Sequence, residues 1–389
     1  MFKEQNTIKD KAAIVGIGET QFAKQLPASE TELACKAISA ALKDAGVSPS
    51  EVDGLASYTM ESTSDFELAK NLGFGDITFF GQIGHGGGGG PATLGMLAMA
   101  IATGQCQVGV AWRSRKRGNP ESRVWANKAA SAELVTAANW SRPWGVLRPV
   151  DEVSLITQRY MHETGCTRQH LANVAVSIRK MANNNPRAMM YDKPLTTEDY
   201  MAARWISEPL CLYDNCLESD GALAVVLVSA ERARDCNSPP VYLHAFGQGI
   251  SQQSHSMVNF YSENPLQGPS WTCARQLFRY SDIQAQDIDV AQFYDAFTPL
   301  IPFSLEAYGF CGHGEGAAFT EDGGLDINGK LPCNTSGGGL SEAYVHGFNL
   351  ITEGVRQLRG QSCNQVREAE TCLVTASTSV PTSAVILRR

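Results

Sequence analysis

The chain contains an internal duplication, which restricts the possible folds more strongly than its composition does. Residues 277–294 align without a gap on residues 41–58, and residues 354–361 align on residues 98–105. Two matches in the same order along the chain indicate a repeated unit, whereas a single match of this length arises by chance. We therefore predict two similar halves. The aligned residues include Val47 with Ile283, Asp53 with Asp289, Tyr58 with Tyr294 and Gly104 with Gly360.

Strand and helix patterns alternate along each half. Residues 11–18 form an apolar strand pattern, and Glu30–Ala45 has apolar residues at helical spacing before Gly46. Duplicated units of this kind predict an α/β fold, in which two βαβαβ-type halves pack as α-β-α-β-α layers with two similar sheets. We expect halves at 1–237 and 238–389, with an inserted loop region at about 113–200 that carries specificity.

Two glycine-rich loops precede apolar helical patterns, one in each half. Glycine lets backbone N–H groups approach a ligand, and the helix N-terminus that follows attracts negative charge. Because the loops are counterparts in the duplication, we expect two helix N-termini to face one site. A purely structural turn is the alternative for each loop. The candidate oxyanion- or acyl-CoA-binding residues are Gly86, Gly87, Gly88, Gly337, Gly338 and Gly339.

Composition excludes several classes of protein. The net charge of −8 argues against a nucleic-acid-binding protein. No stretch approaches the roughly 18 apolar residues that a membrane span needs. Eleven cysteines without a CxxC pair predict a reducing cytoplasm, with neither a disulfide framework nor a metal site. The basic run 113–117 is either a solvated loop or a patch that contacts a phosphorylated ligand such as coenzyme A.

Four segments of the chain, Ala12–Gly18, Tyr191–Tyr200, Ser219–Ala222 and Asn334–Gly347, carry a family resemblance. They resemble landmarks of the thiolase superfamily, and within it of the sterol-carrier-type, lipid-transfer group, and the resemblance covers nearly the whole chain. The resemblance implies the thiolase fold, an acyl-CoA ligand and a homodimer.

The same resemblance shows that the residues of thiolase chemistry are absent. The nucleophilic cysteine of the family falls on Gly87, counted back from the glycine that closes the helix. Tyr294 replaces the polar first residue of the Asn-Glu-Ala-Phe or His-Asp-Cys-Phe motif, and Tyr344 replaces the histidine of Gly-His-Pro. The closing Cys-x-Gly segment falls near 376–383, which contains no cysteine. Acyl transfer through a thioester needs a nucleophile and an activating base, so thiolase activity is rejected.

The remaining groups suit retro-aldol cleavage of a β-hydroxyacyl-CoA. We assign Tyr344 as the base, because its expected place at a helix N-terminus can stabilise a phenolate whose ordinary pKa is about 10. Tyr294 is assigned as the acid or as a donor to the enolate oxygen, although the two roles are interchangeable at this level. Asp295 and His346 are supporting candidates, with a purely structural role as the alternative for both.

This pattern resembles the aldolases that shorten steroid side chains in bacteria. The resemblance implies cleavage of a 17-hydroxy steroid side-chain acyl-CoA to a 17-keto steroid and propionyl-CoA, with no cofactor beyond the coenzyme A of the substrate. It also implies a cytoplasmic heterotetramer with a small zinc-ribbon and OB-fold partner. The exact acyl group stays open. The alternatives are a non-catalytic acyl-CoA- or lipid-binding protein, and an unusual thiolase that uses Cys333 or Cys216.

Overall fold

The computed structural model describes residues 7–117, 141–252, 257–258 and 262–389. The strands of this part of the chain are β1 (Ala12–Glu19), β2 (Gly54–Tyr58), β3 (Phe79–Ile83), β4 (Val108–Arg115), β5 (Trp205–Ser207), β6 (Leu210–Cys211), β7 (Gly221–Ser229), β8 (Val241–Gly249), β9 (Val290–Gln292), β10 (Thr371–Thr375) and β11 (Thr382–Arg388). Its helices are α1 (Glu30–Ala45), α2 (Asp65–Leu72), α3 (Gly90–Ala102), α4 (Pro149–Thr164), α5 (Arg168–Asn183), α6 (Thr197–Ala202), α7 (Pro269–Arg279), α8 (Leu300–Ala307), α9 (Gly316–Phe319) and α10 (Phe348–Arg359).

Nine strands form one mixed sheet in the order β3-β2-β4-β7-β1-β8-β11-β10-β9. Outward from the central pair β1 and β8, the first half continues with β7, β4 and β2, and the second half continues with β11, β10 and β9. The directions also correspond, because β7 is antiparallel to β1 and β4 while β4 is parallel to β2, and the second half repeats this arrangement. The predicted duplication is therefore present in the topology. We expected two separate sheets, but antiparallel pairing of β1 with β8 joins them at their edges.

Helices α3 and α10 lie between the two half-sheets. Helix α3 contacts strands of both halves, including β2 and β11, and α10 contacts β9 and β10 as well as β7. Ten of the 13 residues of α3 and 11 of the 12 residues of α10 are buried, as a middle layer requires. Helix α1 covers β1, β4 and β7 on one outer face, and α7 covers β8 and β11 on the other. The predicted α-β-α-β-α layers are confirmed.

Asp53 and Asp289 show how the repeated sequence produces the repeated structure. The Asp53 carboxylate accepts hydrogen bonds of 2.8–2.9 Å from the two backbone N–H groups at the start of β4. The Asp289 carboxylate accepts hydrogen bonds of 2.9 Å from the two backbone N–H groups at the start of β10. Each aspartate precedes its own strand and ties that strand to the beginning of the next strand in the sheet.

Helix α1 begins and ends as the sequence predicts. The Ser29 hydroxyl accepts a hydrogen bond of 3.1 Å from the Glu32 N–H, which satisfies one of the free donors of the first turn. Gly46 ends the helix at a φ of +71°, a conformation that glycine adopts without steric cost. The predicted boundary between the halves, at 237–238, falls in the connection between β7 and β8.

The inserted region is largely helical where the structure describes it. Helices α4, α5 and α6 lie between 149 and 202, where the sequence has helical patterns at 153–164, 168–184 and 195–203. Burial of Val153, Ile156 and Tyr160 explains the first of these helices, because this spacing places all three on one face. The predicted loop residues 118–140, with Trp125 and Trp140, lie outside the described residues.

The basic run 113–117 is not a solvated loop. Its first three residues complete β4 and are buried. Burial of Arg113 is compensated by Glu61, whose carboxylate lies 3.8 Å from the guanidinium and also accepts hydrogen bonds from the backbone and hydroxyl of Ser114. Sequence spacing did not reveal this pairing, because Glu61 lies on another segment of the chain.

Candidate active site

A cavity of about 680 Å³ opens between the two halves of the chain, with residues of the inserted region in its wall. Its volume lies within the range of about 300–1,000 Å³ that is typical of small-molecule sites. Apolar side chains dominate the wall, and a few polar groups are grouped around two tyrosines. The lining includes Met60, Gly86, Gly87, Arg117, Arg148, Val150, Ile206, Cys216, Leu217, Ile250, Met257, Tyr294, Phe297, Tyr344, His346, Ser377 and Pro381.

Tyr294 and Tyr344 meet in the cavity wall, where their hydroxyl groups are hydrogen-bonded to each other. Their rings lie edge to face, with 6.0 Å between the centroids and an interplanar angle of 64°. Tyr294 lies just beyond the end of β9. Tyr344 lies between the buried turn Gly338–Glu342 and α10. The structure thus brings together the two residues that the sequence identified as the reacting pair.

Both hydroxyl groups have a raised pKa, mainly because burial disfavours the phenolate. At Tyr294 the neighbouring Tyr344 and Cys216 raise the pKa further. At Tyr344 Cys216 also raises it, whereas Arg117 and Arg113 lower it. The guanidinium of Arg117 lies 4.8 Å from the centroid of the Tyr344 ring. Both tyrosines are therefore neutral in the free protein, and Tyr344 is the one that nearby positive charge favours as a phenolate.

The expected stabilisation of Tyr344 by a helix N-terminus is absent. Helix α10 begins at Phe348, so Tyr344 precedes the first turn rather than lying in it. The field of a helix terminus acts within about one turn. Arginine side chains supply the positive charge that we had attributed to the helix.

Of the first glycine loop, Gly86 and Gly87 line the cavity and Gly88 does not. Gly88 is buried, and its N–H donates to the carbonyl oxygen of His85. Among the described residues, no hydrogen-bond acceptor contacts the N–H of Gly87, which lies just before α3. The N–H of Gly87 is therefore available to a ligand.

The second glycine loop lies behind the tyrosines, contrary to our prediction that Gly337–Gly339 bind the ligand. The N–H groups of Gly339 and Leu340 donate to the Asp295 carboxylate, at 2.7 Å and 3.2 Å. Positive φ angles of 107° at Gly337 and 53° at Gly338 let the backbone wrap around that carboxylate. Because these donors are already paired, the loop holds Tyr344 in position and does not bind an oxyanion.

Asp295 is a structural residue and is absent from the described cavity lining. Burial raises the pKa of this carboxyl to about 6, although the N–H groups of Gly339 and Leu340 and the side chain of Asn334 act in the opposite direction. The structure therefore favours the structural alternative that the sequence left open for Asp295.

His346 lines the cavity at the end of a buried polar network. Its Nδ1 lies 2.7 Å from Nη2 of the fully buried Arg113. Tyr58, the counterpart of Tyr294 in the duplication, donates from its hydroxyl to the His346 carbonyl oxygen at 2.9 Å. Burial, together with Arg113, Arg117 and Arg115, lowers the pKa of His346 well below its ordinary value. The imidazole is consequently neutral.

Neither candidate cysteine has the properties of a thiolase nucleophile. Cys333 is buried in the apolar core, where its Sγ contacts the carbonyl oxygen of Leu331 at 3.3 Å. Cys216 lines the cavity, but burial raises the pKa of its thiol to about 12. A thiol that stays protonated is a poor nucleophile.

The sequence placed Arg113 and Arg117 in a basic run with contact to a phosphorylated ligand as one alternative, but it did not place them beside Tyr344 and His346. A usable signal existed, because Arg113 lies in the last part of β4 and Arg117 follows that strand, and ligands of α/β folds bind beyond the carboxyl ends of strands. In the described part of the chain, no group of three or more His, Cys, Asp and Glu side chains is arranged to hold a metal ion. Within that same part, none of the helices has the length and apolar character that crossing a membrane requires.

Comparison with known proteins relates this site to a family. A family model described as thiolase C-terminal domain-like matches residues 251–388. The 17-hydroxy-3-oxo-4-pregnene-20-carboxyl-CoA lyase of Mycobacterium tuberculosis is 45% identical over 387 residues, which are 98% of this chain and 100% of the relative. The steroid side-chain-cleaving aldolase of Thermomonospora curvata is 44% identical over 380 residues, 97% of each chain.

Solved structures agree with the sequence comparison. An Ltp2-ChsH2(DUF35) aldolase has a TM-score of 0.93 and 43% identity, over 98% of this chain and 99% of that one. A monomeric SCP2-thiolase like protein from Mycobacterium smegmatis, at 18% identity and a TM-score of 0.74, shares the fold over 97% of this chain and 77% of its own. The chain therefore belongs to the thiolase superfamily, in the group that includes the steroid side-chain-cleaving aldolases.

Proposed function

We propose that this protein is an aldolase that cleaves a β-hydroxyacyl-CoA by a retro-aldol reaction. The substrate is a 17-hydroxy steroid side-chain acyl-CoA, and the products are a 17-keto steroid and propionyl-CoA. The observation that carries this proposal is the hydrogen-bonded pair Tyr294 and Tyr344 in a cavity whose cysteine is held as a neutral thiol. The activities named for the two similar relatives support the choice of a steroid acyl group.

Retro-aldol cleavage needs one proton acceptor and one proton donor. The substrate hydroxyl loses its proton as the carbon–carbon bond breaks, and the electron pair of that bond moves into the thioester to form an enolate. A second group protonates the α-carbon as the bond breaks, which gives propionyl-CoA. No electrons are gained or lost overall, so we propose no cofactor beyond the coenzyme A of the substrate.

The two tyrosines perform both transfers as a relay. Tyr344 passes its own proton to Tyr294 in the same step in which it accepts the proton of the substrate hydroxyl. Tyr294 gives up its proton to the α-carbon in that step, so neither phenol carries two protons. Neither phenol has to be ionised before the substrate binds, so the raised pKa values of both residues fit this mechanism. Arg117 sets the direction, because its positive charge favours the transient phenolate on Tyr344 rather than on Tyr294.

We propose that the protein is a homodimer that binds a small zinc-ribbon and OB-fold partner in the bacterial cytoplasm. Support for a partner comes from the similar Ltp2-ChsH2(DUF35) aldolase, which has two components. Further support comes from two exposed apolar side chains, Leu147 beside the cavity lining and Ile250 within it. The edge strand β3 with its exposed Phe80 offers a surface for a second copy. All eleven cysteines are free, which suits a reducing compartment.

The direct test is incubation of the protein, with and without the candidate partner, with a 17-hydroxy steroid side-chain acyl-CoA. Mass spectrometry should detect the 17-keto steroid and propionyl-CoA in equal amounts. Binding of the acyl-CoA without any product would contradict the proposal and would favour a non-catalytic acyl-CoA carrier.

A further inference from the structure

The position of Arg113 determines which nitrogen of His346 carries the proton. Arginine has only hydrogen-bond donors, so His346 Nδ1, 2.7 Å from the guanidinium, must be the acceptor. A neutral imidazole has one protonated nitrogen, which is consequently Nε2. Protonation of both nitrogens is disfavoured, because it would place a second positive charge against Arg113.

The protonated edge of the ring faces the reaction cavity. A Cβ built on Gly86 would lie 3.6 Å from His346 Cε1 and 3.9 Å from Nε2, so this edge adjoins the first glycine loop. The Tyr344 ring lies edge to face with the imidazole at 5.7 Å between centroids, and the Tyr58 ring is stacked on it at 5.7 Å. No residue of the described chain accepts a hydrogen bond from Nε2.

The structure holds this donor in place at an energetic cost. His346 has a φ of 59°, in the left-handed region that residues other than glycine rarely adopt. The hydroxyl of Tyr58 secures the strained residue through its carbonyl oxygen. Arg113 is fully buried, which costs free energy even with Glu61 beside it. A histidine that only packed against its neighbours would need neither the positive φ of His346 nor the burial of Arg113.

We infer that His346 is a catalytic residue, whose Nε2–H donates a hydrogen bond to the thioester oxygen as that oxygen becomes the enolate oxygen. Arg113 is the positioning residue that sets the tautomer. The imidazole transfers no proton and stays neutral throughout, beside the available N–H of Gly87. This inference rests on the proposed retro-aldol reaction and adds the group that stabilises its intermediate.

The substitution His346→Asn removes the Nε2–H donor while it keeps a side chain that accepts a hydrogen bond from Arg113. Asparagine places an oxygen near the former Nδ1, where it accepts from Arg113, but it provides no donor at Nε2. We expect kcat to fall by about 100-fold to 1,000-fold, as for loss of one oxyanion donor, with little change in KM or Tm. His162→Asn, at an exposed position of α4, is the matched control and should retain full activity.

Exchange of the α-protons of propionyl-CoA in D₂O tests the inference apart from the steroid. This exchange passes through the same enolate, and mass spectrometry follows it. His346→Asn should slow it by the same factor, whereas exchange at the wild-type rate in this variant would overturn the inference. A wild-type protein that exchanges propionyl-CoA but cleaves no steroid acyl-CoA would refute only the proposed substrate. Absence of both reactions would refute both proposals.

Nuclear magnetic resonance of ¹⁵N-histidine-labelled protein tests the tautomer itself. The His346 signals, identified by their loss in His346→Asn, should show a protonated Nε2 and an unprotonated Nδ1 from about pH 5 to pH 8. In Arg113→Gln the pKa of the ring should rise, because the Arg113 charge lowers it, although burial, Arg117 and Arg115 still hold it below its ordinary value. The acidic limb of the pH–rate profile should move to higher pH accordingly. A wild-type imidazole that is protonated at Nδ1, or that titrates near 6.5, would contradict the inference.

Discussion

The hydroxyl of Tyr294 occupies the space into which a side chain at residue 87 would project. A Cβ built on Gly87 would lie 2.3 Å from Tyr294 Oη, which is closer than nonbonded atoms approach. Residue 87 is the place to which the thiolase resemblance carries the nucleophilic cysteine. Glycine at 87 and tyrosine at 294 are therefore coupled, because the missing side chain makes room for the hydroxyl group.

This coupling predicts that Gly87→Cys creates no thiolase. The new side chain should displace Tyr294 and break its hydrogen bond to Tyr344, and a misplacement of about 1 Å can reduce kcat about 100-fold. Gly87→Ala should have the same effect, since the clash begins at Cβ. Gly84→Ala is the control, because Gly84 is exposed and its Cβ would have no neighbour closer than 3.9 Å. Steady-state kinetics should be measured for both acyl-CoA cleavage and thiolysis. Thiolysis by Gly87→Cys would contradict this prediction.

The tyrosine relay predicts that Tyr344→Phe and Tyr294→Phe each lower kcat by about 100-fold to 10,000-fold, the range of general acid–base catalysis. The double variant should be no slower than the slower single variant, because the two hydroxyl groups act as one unit. Circular dichroism should show unchanged folding, and Tyr191→Phe, at an exposed position, should keep full activity. Losses that multiply in the double variant would show that the residues act independently.

The positive charge of Arg117 should increase kcat by favouring the phenolate of Tyr344. Removing it in Arg117→Gln raises the pKa of Tyr344, since the guanidinium over the ring lowers that pKa. Loss of a cation–π contact of about 1–2 kcal/mol corresponds to a decrease in kcat of about 5-fold to 30-fold. Lys116→Gln removes the same charge from the next residue, whose ammonium contacts the carbonyl oxygens of Leu26 and Ala28. Equal rates for the two variants would contradict the proposed role of Arg117.

Asp295 should make the protein less stable as the pH rises. Its folded-state pKa of about 6 exceeds the usual 3.8, so the folded state binds this proton more tightly than the unfolded state does. Stability is therefore highest below about pH 4 for this group and is lost as the pH rises to about 6, by up to about 3 kcal/mol. Urea unfolding across this range should show a smaller decrease for Asp295→Asn. An identical pH dependence in variant and wild type would refute this.

The duplication predicts equivalent roles for Asp53 and Asp289. Asp53→Ala and Asp289→Ala each remove a carboxylate that accepts from the first N–H groups of a neighbouring strand, so each should lower Tm by about 2–4 °C. Calorimetry on the two variants provides the comparison. A much larger decrease in Tm for one variant would show that the two equivalent aspartates contribute differently to the stability of their halves.

Local patterns in the sequence determined much of this protein. The sequence predicted the bounds of α1, the order of strands and helices, and the repeated halves. It also predicted that Tyr58 and Tyr294 occupy equivalent positions in the two halves. Apolar spacing, capping residues and internal matches depend only on nearby residues or on comparison of two segments. The absence of a nucleophile at residue 87, and the tyrosines in place of polar catalytic groups, followed from the family resemblance in the same way.

Tertiary structure decided which groups meet and in which protonation state. The N–H groups of the second glycine loop bind Asp295 instead of a ligand, Arg113 is buried against His346, and both tyrosines are neutral. These facts have one physical cause. Which hydrogen-bond partner a group has, and how much solvent a charged group loses on burial, depend on segments that are distant along the chain. The spacing of residues within one segment cannot predict either property.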